Sequence, residues 1–170
     1  MIRPPPSPTT RRTVAALTLS AAALVGIVLH EGYTGRAVIP VKGDVPTIGF
    51  GTTTDVKLGD TTTPPKALAR ALTDVQQFEG ALMQCVTVPL AQHEYDALVS
   101  FSYNVGSRAF CQSTLVRKLN TGDYAGACSE LRRWRFFQGK DCALPANARL
   151  CGGLATRRES EYQQCIGEAS

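Results

Sequence analysis

Apolar residues recur at helical spacing along much of the chain after residue 64. From about 65 to 84 they fall at three- and four-residue steps, which predicts an amphipathic helix: Leu68, Leu72, Val75, Phe78 and Leu82. Similar spacing predicts further helices over about 91–104, 112–119, 121–134 and 153–166. Thr63 stands where a helix cap is expected, followed by two prolines that suit the first helical positions.

A different pattern occupies residues 30–58, which are rich in Gly, Thr and Val. Short strands are predicted at 37–39 and 47–51, with turns at Gly43-Asp44 and Gly51-Thr52. The chain therefore divides into a small N-terminal β lobe, 30–58, and a larger helical lobe, 65–170. Together they predict an α+β catalytic-type domain over 30–170.

The N-terminus has a third pattern. Residues 1–12 form a Pro-rich leader with Arg3, Arg11 and Arg12, and residues 13–29 carry no charge. The positive-inside bias predicts a cytoplasmic leader and export of everything after residue 29. As a helix, 13–29 would span roughly 25 Å, near the lower limit for a bilayer. Three interpretations remain: a signal peptide cut near Ala21-Ala22-Ala23, an uncleaved signal anchor, or a buried core helix.

Composition adds few constraints. The chain has 170 residues, of which 44% are hydrophobic and 19% charged, as expected for one folded domain. The net charge of +4 favours an anionic surface without choosing among cell-wall polymer, nucleic acid and lipid. Basic residues are scattered apart from Arg132, Arg133 and Arg135 around Trp134. No nucleic-acid motif accompanies that cluster, so we expect no nucleic-acid partner.

The cysteines indicate an oxidising compartment. There are six, all from residue 85 onward: Cys85, Cys111, Cys128, Cys142, Cys151 and Cys165. They form no C-x-x-C pair, and the two histidines add no zinc-type cluster, so no metal is expected. Disulfides are the better interpretation. Six cysteines allow about 15 pairings, of which Cys142 with Cys151 is the easiest to close locally.

Two carboxylates are candidates for chemistry. Glu31 directly follows the apolar segment, where partial burial would favour the protonated form that a general acid needs. The alternative is a boundary charge exposed to water. Asp44 lies in a predicted turn, where an Asp side chain commonly accepts hydrogen bonds from nearby backbone amides. If that turn reaches the cleft of Glu31, Glu31 and Asp44 could divide the acid and base roles. Thr47 could hold a water between them, or simply favour a strand.

Several motifs, in one order, resemble phage endolysins of the family 24 (phage-type) lysozyme class. They are HEGY (30–33), GDVPTIGFG (43–51), FSYNVG (101–106), FCQSTLVRKLN (110–120), GDY (122–124) and GGLATRRE (152–159). The resemblance covers about 31–164. It implies a lysozyme-like α+β fold with the cleft between the two lobes, and the weakly apolar leader makes the signal-anchor-release subtype the most similar.

The resemblance also implies residue roles. Glu31 corresponds to the catalytic Glu and Thr47 to the Thr of the pattern. The family usually has its Asp six positions before the Thr, where this chain has Val41; either Asp44 replaces it in a remodelled loop or Glu31 acts alone. Thr52 stands where relatives often have His. The residues implied to bind glycan are Tyr33, Asn104, Gln112, Ser113 and Thr114.

The expected activity is hydrolysis of the β-1,4 bond between N-acetylmuramic acid and N-acetylglucosamine in peptidoglycan, without a cofactor. The alternatives are a lytic transglycosylase that uses Glu31 alone and a non-catalytic peptidoglycan-binding protein. We expect a monomer that is held inactive on the host inner membrane through 13–29. Glu31 would then lie at the bilayer surface, and exit into the periplasm would activate the enzyme.

Overall fold

A computed structural model describes residues 10–40 and 43–168. Most of the leader, residues 1–9, and the position of Val41 lie outside the described residues. Among the described residues no helix is both long and apolar enough to cross a membrane.

The uncharged segment 13–29 is folded into the body in this conformation. A 3₁₀ turn, Val14–Ala16, precedes helix α1, Ala21–Glu31, and the chain between them is extended. Ser20 caps α1 by accepting a hydrogen bond of 3.1 Å from the amide of Ala23. Val14, Leu17 and Ile27 belong to the buried core. In this state the segment 13–29 contributes to the core, but it is not the single buried helix of the third interpretation, because it is broken before α1 and exposes Val25 and Leu29.

The β lobe is one antiparallel hairpin. Strands β1, Thr34–Val38, and β2, Thr47–Gly49, pair with Thr34 opposite Gly49 and Val38 opposite Thr47. β1 begins before the predicted 37–39, because nothing in the local alternation marks its first residues. The turn at Gly43, where φ is +92°, and the turn at Gly51, where φ is +84°, are as predicted.

The helical lobe contains six further helices. They are α2, Pro64–Cys85; α3, Gln92–Val105; α4, Ser107–Cys111; α5, Thr114–Asn120; α6, Tyr124–Leu131; and α7, Ala148–Cys165. Residues 94–102 of α3 are all buried, so α3 is the central element of the lobe. It contacts α1, α2, α4 and α7. This packing places the end of α1 against α7.

Helices α2, α3, α5, α6 and α7 confirm the five predicted helices, and most of their ends lie within three residues of the predicted ones. The largest difference is at the start of α7, which begins five residues before the predicted 153. The five-residue α4 was not predicted, and neither was a small hairpin of β3, Phe136–Phe137, with β4, Lys140–Asp141. The chain gives α5 an N-cap at Ser113 and α6 an N-cap at Asp123. The lysozyme-like α+β architecture is thus the one expected.

All six cysteines are paired in three disulfides, as the composition predicted. Cys142–Cys151 joins the loop before α7 to the first turn of that helix. The sequence had not selected the other two, Cys85–Cys111 between α2 and α4 and Cys128–Cys165 between α6 and α7. Each of those two joins a pair of helices across the helical lobe.

Candidate active site

Glu31 is the last residue of α1, and the chain turns sharply after it. Gly32 ends the helix with φ +69° and donates its amide to the Val28 carbonyl at 3.1 Å. The Glu31 side chain retains 21% of its exposure. Gly51, in the turn after β2, faces this carboxylate: a Cβ there would lie 3.1 Å from Glu31 Oε2. The backbone of Gly51 therefore lies close to the Glu31 carboxylate and encloses it on one side.

A buried arginine on α7 holds the other side of Glu31. Arg157 Nη1 donates to Glu31 Oε1 at 2.7 Å, and the Arg157 side chain is 7% exposed. The same guanidinium donates to Glu161 Oε1 at 3.2 Å and to the Ser100 carbonyl at 3.4 Å. Three acceptors on three elements fix its position, and two carboxylates share its charge.

The network continues along α7. Glu161 Oε2 lies 2.9 Å from Arg158 Nη1, and Ser100 donates its hydroxyl to Glu161 Oε1 at 3.0 Å. Burial raises the pKa of the Glu161 carboxyl, and the Arg158 and Arg157 charges oppose that shift. Two glutamates and two arginines thus form a compact hydrogen-bonded group that fixes the Glu31 carboxyl from behind.

Glu31 opens into a cleft of about 380 Å³ between the lobes. Asp44 and Thr47 from the β lobe line the same cleft, and Asn104 from α3 lines it on the helical side. The complete lining is Glu31, Pro40, Asp44, Thr47, Gly51, Thr53, Thr54, Asp74, Gln77, Phe78, Tyr103 and Asn104. The structure therefore brings together four of the residues singled out in the sequence.

Asp44 and Thr47 make local bonds at the mouth of the hairpin. Asp44 is exposed, and its Oδ1 accepts the Val45 amide at 2.9 Å. The Thr47 hydroxyl donates to the Val45 carbonyl at 3.2 Å. Among the described residues, no hydrogen bond reaches the second carboxylate oxygen of Asp44, as suits a residue that faces water in a cleft.

Two cleft residues on the helical lobe bond to the turn after β2: Asp74, which was not predicted, and Tyr103, which lies in the FSYNVG motif. Asp74 on α2 accepts a 2.5 Å hydrogen bond from the hydroxyl of Thr52, which is 3% exposed. Tyr103 donates to the Phe50 carbonyl at 2.9 Å, and burial together with the Glu31 charge raises its pKa beyond the usual range. Both contacts tie the turn after β2 to the helical lobe. For Asp74 the one signal in the sequence was its partner Thr52, which stands where relatives often have His.

The remaining residues implied to bind glycan lie elsewhere. Tyr33 rests against Phe50, with ring centroids 5.4 Å apart, and donates to the Thr62 carbonyl. Gln112 is exposed at the end of α4, Ser113 is buried and caps α5 at Val116, and Thr114 accepts from Arg117 at 2.7 Å. None of these four lines the 380 Å³ cleft. Asn104 does, and its side-chain oxygen accepts from Arg158.

The polar side chains that line the cleft are suited to acid–base chemistry. Glu31, Asp44 and Asp74 supply carboxylates, and Thr47, Tyr103 and Asn104 supply neutral polar groups. Within the described residues, no group of three His, Cys, Asp or Glu side chains is arranged to hold a metal ion. A partly shielded carboxylate in a polar cleft can exchange a proton with a bound substrate.

The sequence is similar to those of phage lysozymes and endolysins along most of its length. The family model described as phage lysozyme matches residues 29–161. An endolysin of Acyrthosiphon pisum secondary endosymbiont phage 1 is 39% identical over 140 residues, 80% of this chain and 91% of its own. The SAR-endolysin of Pseudomonas phage phiKMV is 35% identical, covering 88% of this chain and 89% of its own.

A solved structure gives the same result for the fold. The endolysin from Escherichia coli O157:H7 phage FAHEc1 superposes with a TM-score of 0.73 at 31% identity, covering 88% of this chain and 94% of that one. The chain belongs to the phage lysozyme family, and within it is an endolysin, a glycoside hydrolase of the muramidase class.

Proposed function

We propose that this endolysin hydrolyses the β-1,4 bond between N-acetylmuramic acid and N-acetylglucosamine, with Glu31 as the acid that protonates the leaving oxygen. The observation that supports the assignment most is the common cleft of Glu31, Asp44 and Thr47. Glu31 presents its free oxygen to that cleft while Arg157 fixes the other. Orientation of this kind is what general acid catalysis demands of the side chain.

Asp44 and Thr47 would act on the opposite side of the scissile bond. A carboxylate there stabilises positive charge developing on the sugar ring and, with a hydroxyl, can orient the attacking water. The second carboxylate oxygen of Asp44, which accepts no hydrogen bond from the described residues, and the solvent-facing turn that carries it fit that task.

A lytic transglycosylase is the second candidate, because the bond from Val45 to Asp44 is also what a purely structural turn aspartate would make. That reaction needs Glu31 alone and yields a 1,6-anhydro sugar. Mass spectrometry of muropeptides released by the wild-type protein distinguishes the two: hydrolysis adds one water to each cleaved bond, whereas anhydro ends identify the transglycosylase.

The Asp44→Asn variant tests the partner role. We expect its rate of wall hydrolysis to fall about 10²-fold or more, since removal of one of two cooperating carboxylates withdraws charge stabilisation from the transition state. Asp55→Asn is the matched control, because Asp55 is exposed and outside the cleft lining. A full rate in Asp44→Asn would remove Asp44 from the mechanism.

We also infer that residues 13–29 tether the enzyme to the inner membrane before it is released intact into the periplasm. Several relatives are SAR-endolysins, among them those of phages PA-2 and P21, each 34% identical over 94% of this chain. The apolar composition of α1 exceeds what its packing uses: Val25 is 54% and Leu29 77% exposed. A helix that is apolar on every side suits a bilayer better than water.

The break between Leu17 and Ala21 fits a segment with two conformations. A continuous helix over 13–29 would bond the amides of Leu19 and Ser20 internally. In the folded body those amides donate to Glu79 Oε1 at 2.7 Å and to Asp96 Oδ1 at 3.0 Å instead. Release intact also preserves Val14 and Leu17, which cleavage near residue 23 would remove from the core.

Fractionation with intact-mass measurement tests the tether. In producing cells we expect full-length protein first in the membrane fraction and later in the periplasm, without a change of mass. A soluble product with a new N-terminus near residue 24 would contradict it.

A further inference from the structure

We propose that Glu94 and Tyr124 form a binding site for a guanidinium group, and that its occupant is Arg11 of the leader, which holds the segment on the body once it has left the membrane. The proposal rests on the release proposed above and adds what keeps the released segment from returning.

The contact has the geometry of a built site. Arg11 Nη2 donates to Glu94 Oε1 at 2.7 Å and Nε donates to Oε2 at 3.1 Å, a bidentate pair. The face of the Arg11 guanidinium lies 3.7 Å from the centroid of the Tyr124 ring. The Glu94 side chain is only 4% exposed. Planar recognition of this type favours arginine over lysine.

The site belongs to the body and not to the leader. Glu94 is on α3, where its Oε2 also accepts the Ala91 amide at 2.8 Å, and Tyr124 begins α6. The Cys128–Cys165 disulfide fastens α6 to the end of α7 beside it. Among the described residues, Arg11 is the one cation that pairs with Glu94. Without Arg11, the Glu94 carboxylate would lose this counter-charge.

Membrane topology makes this contact specific to one state. In the tethered form the positive-inside bias keeps Arg11 on the cytoplasmic side of 13–29, while Glu94 is in the exported body. The pair therefore forms only after Arg11 has crossed the bilayer. Arg12 follows it, exchanging two backbone hydrogen bonds with Leu90 at 2.7 and 2.8 Å. The Arg11–Glu94 pair consequently stabilises only the fully released segment.

Hydrogen exchange on the purified full-length protein tests the site. Arg11→Lys keeps the leader charge but loses the bidentate fork, and Glu94→Gln keeps an acceptor for Ala91 but loses the charge. We expect amides over 12–20 to exchange at least about tenfold faster in either variant, from loss of charge-assisted hydrogen bonds. Exchange in α2 should not change. Arg12→Lys is the control, because Arg12 contacts Leu90 through its backbone.

A second readout in producing cells tests retention. Both variants should leave a larger share of full-length protein in the membrane fraction than wild type or Arg12→Lys. Unchanged exchange over 12–20 overturns the site, and faster exchange with an unchanged membrane fraction overturns its role in retention. Failure of the release proposal is recognised separately, by an intact mass that shows the wild-type leader removed.

Discussion

Arg157 on the last helix donates a 2.7 Å hydrogen bond to the carboxylate of Glu31 at the end of the first helix, 126 residues earlier in the chain. The contact joins the segment 13–31 to the helical lobe at the cleft itself. Arg157 in turn is held by Glu161 and the Ser100 carbonyl. The position of Glu31 in this fold thus depends on α7 as much as on α1.

Arg157→Lys should lower the rate of wall hydrolysis about 10²-fold with little change in KM, since an ammonium cannot reach three acceptors and Glu31 loses its fixed orientation. Turbidity loss of outer-membrane-permeabilised cells, measured over a range of cell densities, separates the two parameters. Arg132→Lys is the control, because the Arg132–Glu159 pair is exposed on both sides. Equal losses in the two variants would mean that the Arg157 effect is not specific.

Ile27→Ala should reduce the free energy of unfolding by about 2–5 kcal/mol, as is usual when a large aliphatic side chain is removed from a core. Ile27 is 1% exposed in α1. Leu29→Ala, in the same helix but 77% exposed, should change stability by less than about 0.5 kcal/mol. Urea unfolding of the released protein provides the comparison. Equal effects of the two changes would contradict the packing of 13–29 into the body.

The Lys118–Glu130 pair should make stability pH-dependent. Lys118 Nζ lies 2.7 Å from Glu130 Oε1, and this hydrogen bond lowers the pKa of the Glu130 carboxyl below its ordinary 4.5. A lowered folded pKa stabilises the fold above pH 4.5 and loses that contribution as the pH falls through the folded value. Glu130→Gln should therefore be less stable than wild type by about 1–2 kcal/mol at pH 7.

That deficit should shrink as the pH falls from 4.5 toward 3, which urea titrations at successive pH values would measure. Glu168→Gln, an exposed change near the C-terminus, is the control and should show no such trend. A deficit that stays constant from pH 7 to 3 would exclude the ion pair as its cause.

The helices could be predicted from sequence where a long apolar stripe marks one face. α2 and α3 have such stripes, and their observed bounds differ from the predicted ones by one residue. α4 has five residues and β3 and β4 two each, too few for a period to be read. The break at 18–20 was also missed, because its cause is tertiary: Glu79 and Asp96 accept the freed amides.

Only part of the candidate site could be predicted from the sequence. Glu31, Asp44 and Thr47 lie within seventeen residues, so motif spacing identifies them. Asp74 lines the cleft only because α2 packs there, and no local pattern distinguishes it from a surface charge. Arg157 lies in the GGLATRRE motif, but its contact with Glu31 depends on the packing of α7. Ser113, which the resemblance implied to bind glycan, lies near the start of a predicted helix, a position where Ser is typical as an N-cap residue. In the structure it caps α5.

Replacement of Glu31 by Gln tests the central assignment most directly. Gln has nearly the shape of Glu and can still accept from Arg157, so the fold should be retained, as circular dichroism and urea unfolding would verify. The account predicts that release of muropeptides from purified peptidoglycan falls about 10³-fold or more, because the acid proton is gone. A rate near that of wild type in a folded Glu31→Gln protein would contradict it.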